Sequence, residues 1–88
     1  MIHIILQGRV QGVGCRWLCK MLADKLNIAG TVSNLDNGDV EIYAQGSQES
    51  LDIFVSEIKK GLSPVMRVNS MTISEVDTDK KLNNFVII

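Results

Sequence analysis

The stretch IHIILQGRVQGVGCRWLCKML, residues 2–22, passes from an isoleucine-rich run through three glycines into a helical pattern. The opening run, residues 1–6, is short and apolar, which predicts a strand buried on both faces. Glycine costs backbone entropy, so three glycines within residues 8–16 indicate either a tight turn or something that approaches the backbone closely. A strand, a loop and a helix in this order are typical of a β-α-β unit.

Apolar residues recur at helical spacing after the glycines, so a helix is predicted to begin near Cys15. Arg16 falls in its first turn and on a separate, polar line of the helix. Gly30 is expected to end the helix as a left-handed cap. The apolar face is expected to comprise Cys15, Leu18, Cys19, Leu22 and Leu26.

A hairpin and a second helix follow the first helix. Residues 31–35 and 40–46 are predicted strands, joined across Asn37-Gly38, which is a strong hairpin signal. Ser47 is a suitable N-cap for the next helix, and Gly61 is expected to end it. The second half of the chain therefore repeats the β-α-β order of the first half.

The C-terminal quarter of the chain completes the predicted fold. Residues 66–76 are a predicted strand with a bulge near Asn69-Ser70, where the alternation slips, and residues 85–88 are a possible short extra strand. Two helices with matching apolar faces can cover one face of a sheet. We therefore expect an α+β, ferredoxin-like α/β sandwich, β-α-β-β-α-β, with a mainly antiparallel sheet and residues 1–88 as a single domain.

The charge and apolar runs of the chain disfavour several classes of partner. A formal net charge of −1 provides no general attraction to nucleic acid or to an anionic membrane. No apolar run approaches the roughly 20 residues that span a bilayer, and residues 1–9 do not resemble a signal peptide. We therefore expect a cytoplasmic monomer that acts on a small molecule, with no nucleic-acid or membrane partner.

Cys15 and Cys19 are the only cysteines, and His3 is the only histidine. A metal site needs more ligands than these, so neither a metal nor a cofactor is expected. A disulfide between helix neighbours would close almost no loop, so both cysteines are interpreted as buried, reduced thiols. Cys15 lies near a helix N-terminus, where the pKa of a thiol can be lowered. His3 is expected to point outward or to pack at a strand edge, with no functional role.

The glycine-rich loop has two interpretations that its residues alone do not separate. A loop between a strand and a helix N-terminus can present several backbone N–H groups to one anion, and the guanidinium of Arg16 would add charge-assisted hydrogen bonds. The same glycines fit a purely structural tight turn, with Arg16 as a solvated helix cation. Asn34 is likewise typical of a turn residue when it is considered alone.

Two motifs, GRVQGVGCRWL followed by GTVSNLDNGDVEIYAQG, resemble those of the acylphosphatase family. Members of this family are small ferredoxin-like hydrolases of carboxyl-phosphate anhydrides. The resemblance extends to LSPVMRV and to the final FVII, so it covers nearly the whole chain. It implies metal-independent hydrolysis of small acyl phosphates, with Arg16 as the phosphate-binding arginine and Asn34 as the catalytic asparagine that orients water. The implied backbone cradle for phosphate comprises Gln11, Gly12, Val13, Gly14, Cys15 and Arg16.

The chain departs from the family pattern at Cys15, where an aromatic residue is usual, and at Thr31, where tryptophan is usual. The first change is expected to affect packing, and the second is expected to alter the wall beside the site. A non-catalytic phosphate-binding or anion-binding module on the same fold is the main alternative function. An RNA-binding domain of this fold is disfavoured, because the chain has no cluster of aromatic residues.

Overall fold

Five strands form one mixed sheet in the order β4-β1-β3-β2-β5 in a computed structural model that describes all 88 residues. Strand β5 pairs in parallel with β2, and the other neighbouring strands are antiparallel. The predicted ferredoxin-like arrangement and the extra C-terminal strand are therefore confirmed. The elements are β1 (Ile2–Arg9), α1 (Cys15–Lys25), β2 (Ala29–Asn34), β3 (Val40–Gln45), α2 (Gln48–Lys60), β4 (Arg67–Glu75) and β5 (Phe85–Ile87).

Burial alternates along β1, so the prediction that this strand is buried on both faces is wrong. Ile2, Ile4 and Leu6 are buried, whereas His3 and Ile5 are only half-buried. The difference arises because the apolar faces of the helices join the core on one side of the sheet, which leaves the other side open. On the open side, His3 Nε2 lies 2.8 Å from a carboxylate oxygen of Glu41.

The end of α1 also differs from the prediction. The helix ends at Lys25, and Asn27 takes the left-handed conformation with φ of 57°, which asparagine tolerates better than most residues. Gly30 is not a helix cap but a residue of β2, paired with Ala44 of β3. The strand requires glycine here because a Cβ at position 30 would overlap the carbonyl oxygen of Tyr43.

The bulge predicted in β4 is confirmed and explains one of the loop glycines. Gln7 pairs with Ser70 and Gly8 pairs with Val68, so Asn69 is the extra residue. A Cβ on Gly8 would overlap the backbone of β4. Gly8 therefore belongs to β1, and the connection to α1 is shorter than predicted, residues 10–14.

The core lies between the sheet and the two helices. Helix α1 contributes Cys15, Cys19 and Ala23 as its buried residues, whereas the leucines predicted for its apolar face are only partly buried. Helix α2 begins as predicted, because the Ser47 hydroxyl accepts a hydrogen bond from the Ser50 backbone N–H at 3.1 Å. Neither helix is long and apolar enough to cross a membrane.

The backbone contact at Gly30 leads to a stability prediction. Gly30→Ala is expected to lower the free energy of unfolding by about 3 kcal/mol or more, because the added methyl group forces β2 away from β3. The matched control is Gly38→Ala in the hairpin, where φ is also positive at 97° but no atom lies within 4 Å of the new Cβ. This control is expected to lose only about 1–2 kcal/mol. Urea denaturation measures both values, and equal losses would contradict the contact.

Candidate active site

Helix α1 begins without the side-chain cap that α2 has. Its N-cap is Gly14, with φ of 78°, and no side chain accepts a hydrogen bond from its first backbone N–H groups. The first turn of α1 also contains no acidic residue, whereas α2 has both the Ser47 cap and Glu49. The N-terminus of α1 therefore retains unpaired N–H donors and the positive end of the helix dipole, which together favour an anion.

A cavity of about 250 Å³ lies at this N-terminus and brings together residues from three parts of the chain. The loop and the first turn of α1 form one side, the end of β2 forms another, and β5 supplies an apolar residue. The lining residues are Val10, Gly12, Gly14, Cys15, Arg16, Trp17, Asn34 and Ile87. Arg16 and Asn34, which are 18 positions apart in sequence, thus line one cavity.

The alternation of β2 explains why Asn34 lines the cavity. Val32, two residues earlier, is buried in the core between the sheet and the helices. Residues two apart on a strand share a face, so Asn34 lies on the same face of the sheet as α1. It is the last residue of β2 and is exposed, so its carboxamide lies beyond the apolar core.

Arg16 lies in the first turn of α1 and is exposed, off the buried face of the helix. One guanidinium nitrogen donates a hydrogen bond to the backbone oxygen of Ile88 at 3.4 Å. A guanidinium has five N–H donors in a planar fork, so this long bond leaves most of them for an anion. The contact directs the Arg16 side chain along the edge formed by β5.

Gln11 has a structural role that the sequence analysis missed. Its side-chain amide donates hydrogen bonds of 2.7 Å to the backbone oxygens of Leu35 and Asp39. These oxygens belong to the β2–β3 hairpin, directly after Asn34, so Gln11 connects the glycine-rich loop to the strand end opposite it. Neither its identity nor its spacing signals this contact, because the two acceptors are main-chain atoms distant in sequence.

The other residues of the expected cradle divide into two groups. Gly12, Gly14 and Cys15 line the cavity together with Arg16. Gln11 and Val13 do not line it: the Gln11 side chain contacts the hairpin, and Val13 packs partly buried against the core. Four of the six residues therefore line the cavity, and Gln11 and Val13 do not.

The two departures from the family pattern have different surroundings. Cys15 is buried and packs in the core, as expected, while it also contributes to the cavity lining. Thr31 pairs with Tyr43 and lies on the open face of the sheet, opposite to the face that carries Asn34. The expectation that Thr31 alters the wall beside the site is therefore wrong.

A larger cavity, of about 520 Å³, lies at the opposite end of β2, and its lining contains no arginine. Its polar lining consists mainly of neutral carboxamides, from Asn27, Gln45 and Asn83, with Lys81 as the one cation. Gln45 is already hydrogen-bonded to the backbone of residues 80 and 82. The N-terminus of α2 begins just after Gly46 of this lining, but the Ser47 hydroxyl already caps it. The smaller cavity, at an uncapped helix N-terminus and with Arg16 in its lining, is therefore the better candidate for an anion site.

Comparisons with known proteins show the family of this chain. The family model described as Acylphosphatase matches residues 2–87. The chain is similar to an acylphosphatase of Bacillus velezensis, with 46% identity over 97% of this chain and 93% of the relative. It also resembles the crystal structure of acylphosphatase from Bacillus subtilis, with 41% identity, a TM-score of 0.93 and coverage of 99% and 96% of the two chains. An acylphosphatase structure from Coxiella burnetii matches with 31% identity, a TM-score of 0.91 and coverage of 99% and 90%.

The Gln11 contacts lead to a prediction for both stability and activity. Gln11→Ala is expected to lower the free energy of unfolding by about 1–3 kcal/mol, since two hydrogen bonds are lost, and to reduce kcat because the loop is no longer connected to the hairpin. Gln7→Ala is the matched control, because the Gln7 side chain reaches the same hairpin only through a 3.5 Å exposed contact with Asp39. Urea denaturation measures the free energy of unfolding, and steady-state kinetics measures kcat. Equal losses in Gln11→Ala and Gln7→Ala would contradict the role of Gln11.

Proposed function

This chain belongs to the acylphosphatase family and shares its hydrolase activity, and we propose that Arg16, Asn34 and the loop before α1 carry out that activity. The substrate is a small acyl phosphate, whose carboxyl-phosphate anhydride is hydrolysed to a carboxylate and inorganic phosphate. The observation that carries the proposal is the shared cavity, in which a cation, a carboxamide and an uncapped helix N-terminus line one space. An acyl phosphate is already activated, so the enzyme mainly has to position water and stabilise phosphoryl charge.

The phosphoryl group is held by Arg16 and by backbone N–H groups from Gly12 to Arg16. The helix dipole contributes about 0.3–1 kcal/mol to anion binding, whereas each charge-assisted hydrogen bond from the guanidinium contributes roughly 1.5–3 kcal/mol. Arg16 therefore determines most of the affinity, and the backbone donors determine the orientation. Both sets of donors bind the phosphoryl oxygens more strongly as negative charge develops on them in the transition state.

Asn34 orients the attacking water. Its carboxamide can accept a hydrogen bond from water through oxygen and donate one to a phosphoryl oxygen through nitrogen. The amide does not take up a proton near neutral pH, so Asn34 is not a general base. The proton of the attacking water passes to a substrate oxygen, and the carboxylate leaves in line with the attack. No nucleophilic side chain is needed for this reaction.

We also propose that the protein acts as a cytoplasmic monomer formed by one domain. Arg16, Asn34 and the loop before α1 line one cavity of the same chain, so one copy supplies both of the side chains that we assign to catalysis. Cys15 and Cys19 are free thiols, the state in which cytosolic proteins usually keep their cysteines.

Substitution of the two side chains separates binding from turnover. With benzoyl phosphate as substrate and a chelator present, Asn34→Ala is expected to lower kcat by about 100-fold or more because the water is no longer positioned. Its affinity for inorganic phosphate should stay close to that of the parent protein. Arg16→Ala is expected to weaken phosphate binding by about 10- to 100-fold and to lower turnover as well, because it removes the charge-assisted hydrogen bonds. Steady-state kinetics and phosphate titration by calorimetry measure both effects.

Two control variants accompany these measurements. Arg67→Ala removes the same charge from an exposed position on β4, and Asn37→Ala removes a carboxamide that bonds only Asp39 within the hairpin. Both should retain the activity of the parent protein within about twofold, as expected for surface substitutions. Parent-like turnover in Asn34→Ala would overturn the assigned mechanism. Phosphate binding by the parent protein without any hydrolysis above the uncatalysed rate would instead identify a binding module.

A further inference from the structure

Cys15 and Cys19 form a pair of thiols that the proposed mechanism does not use. Both residues are buried, at 2% and 0% exposure, and their Sγ atoms lie 3.8 Å apart, one turn from each other on α1. Their positions differ in one respect. Cys15 is the first residue of α1 and contributes to the lining of the phosphate cavity, whereas Cys19 packs entirely within the core.

The two thiols also differ chemically. The hydrogen bond between them lowers the pKa of the Cys15 thiol, and this effect exceeds the opposing effect of burial. The same hydrogen bond, together with burial, raises the pKa of Cys19. The thiol with the lower pKa is therefore the one beside the cavity, and the Cys19 thiol lies behind it. A nucleophilic thiolate with a second thiol in reach is the arrangement found at oxidation-sensitive cysteine sites.

We propose that Cys15 and Cys19 are an oxidation site at which a small hydroperoxide produces a disulfide that inactivates the phosphate site. Cys15 ionises, and its sulfur attacks a peroxide oxygen: the S–O bond forms and the O–O bond breaks. The leaving alkoxide or hydroxide takes up the proton that Cys15 released, and Cys15 becomes a sulfenic acid. The Cys19 thiol then gives its proton to the sulfenic oxygen as its sulfur attacks the Cys15 sulfur; the S–S bond forms, the S–O bond breaks and water leaves. In total, two thiols lose two protons and two electrons, and the hydroperoxide takes up both and is reduced to water and an alcohol or to two waters.

Inactivation follows from the geometry of a helix. Residues four apart on a helix have Cβ atoms about 5–6 Å apart, whereas a disulfide requires about 3.5–4.5 Å. Closing the bond therefore distorts the first turn of α1. Both cysteines pack in the core, but Cys15 is the first residue of α1 whereas Cys19 lies one turn inside the helix, so Cys15 is the residue that moves. The distorted turn contains Arg16 and the Gly14–Leu18 hydrogen bond of 3.0 Å, so the phosphate donors are displaced.

The inference rests on the proposed function, and its test has one readout that does not depend on activity. The purified protein is treated with hydrogen peroxide, alkylated and digested with trypsin, which cleaves after Arg9, Arg16 and Lys20. A Cys15–Cys19 disulfide would link the peptides 10–16 and 17–20, which are otherwise separate. Sulfoxide at Met21, which is 52% exposed, shows that the oxidant was effective.

We expect the linked peptides to appear in parallel with a loss of benzoyl phosphate hydrolysis of about 100-fold, since a displacement near 1 Å in a site can have that effect. Dithiothreitol should reverse both changes. The control is Cys19→Ala, a residue outside the cavity, which should keep the basal activity and yield no linked peptides. It should also lose less activity than the parent protein at the same peroxide dose.

Three results would overturn the proposal. Oxidised Met21 without linked peptides would show that the thiols do not form a disulfide. Linked peptides with unchanged activity would show that the disulfide does not affect the site. Equal and equally reversible inactivation of Cys19→Ala would show that Cys19 takes no part. If the reduced parent protein fails to hydrolyse benzoyl phosphate, the proposed function fails, while the peptide readout still decides whether the disulfide forms.

Discussion

The two hydrogen bonds from the Gln11 carboxamide to the β2–β3 hairpin are the connection on which the geometry of the site depends. Both are 2.7 Å long, and they join residues 24 and 28 positions apart. Without them the glycine-rich loop would have no polar side-chain contact with the hairpin that follows Asn34. A loop rich in glycine has many conformations in the absence of such contacts, so these bonds select the one in which the loop faces the end of β2.

The N-termini of the two helices differ: side chains stabilise that of α2, whereas that of α1 is free to bind an anion. Helix α2 has a serine cap and an acidic residue in its first turn, both of which stabilise a helix N-terminus. Helix α1 has neither, and its glycine N-cap costs roughly a few tenths of a kcal/mol relative to serine. An anion bound at α1 would take the place of both features. In this account the first turn of α1 is a binding site for phosphoryl oxygens, and the polar side chain in it, Arg16, faces the same cavity.

Local signals predicted much of the fold, and contacts between distant residues account for what they missed. The hairpin at Asn37-Gly38, the Ser47 cap and the bulge at Asn69 depend on neighbouring residues and were predicted correctly. Gly30 was misassigned because its requirement comes from the Tyr43 carbonyl on another strand. The motif resemblance selected Arg16 and Asn34, and strand alternation explains why Asn34 lies on the face of α1. The Gln11 contacts involve only main-chain acceptors, so no residue pattern could reveal them.

Titration of ¹⁵N-labelled protein with inorganic phosphate, followed by amide chemical shifts, tests most directly whether the loop, Arg16 and Asn34 form one phosphate site. The account predicts the largest shifts at the backbone amides of residues 12–16 and at the side-chain amide of Asn34. The lining of the larger cavity at residues 27–29, 45–46 and 81–83 should stay unchanged. Shifts concentrated at that larger cavity, or shifts at the loop with none at Asn34, would contradict it.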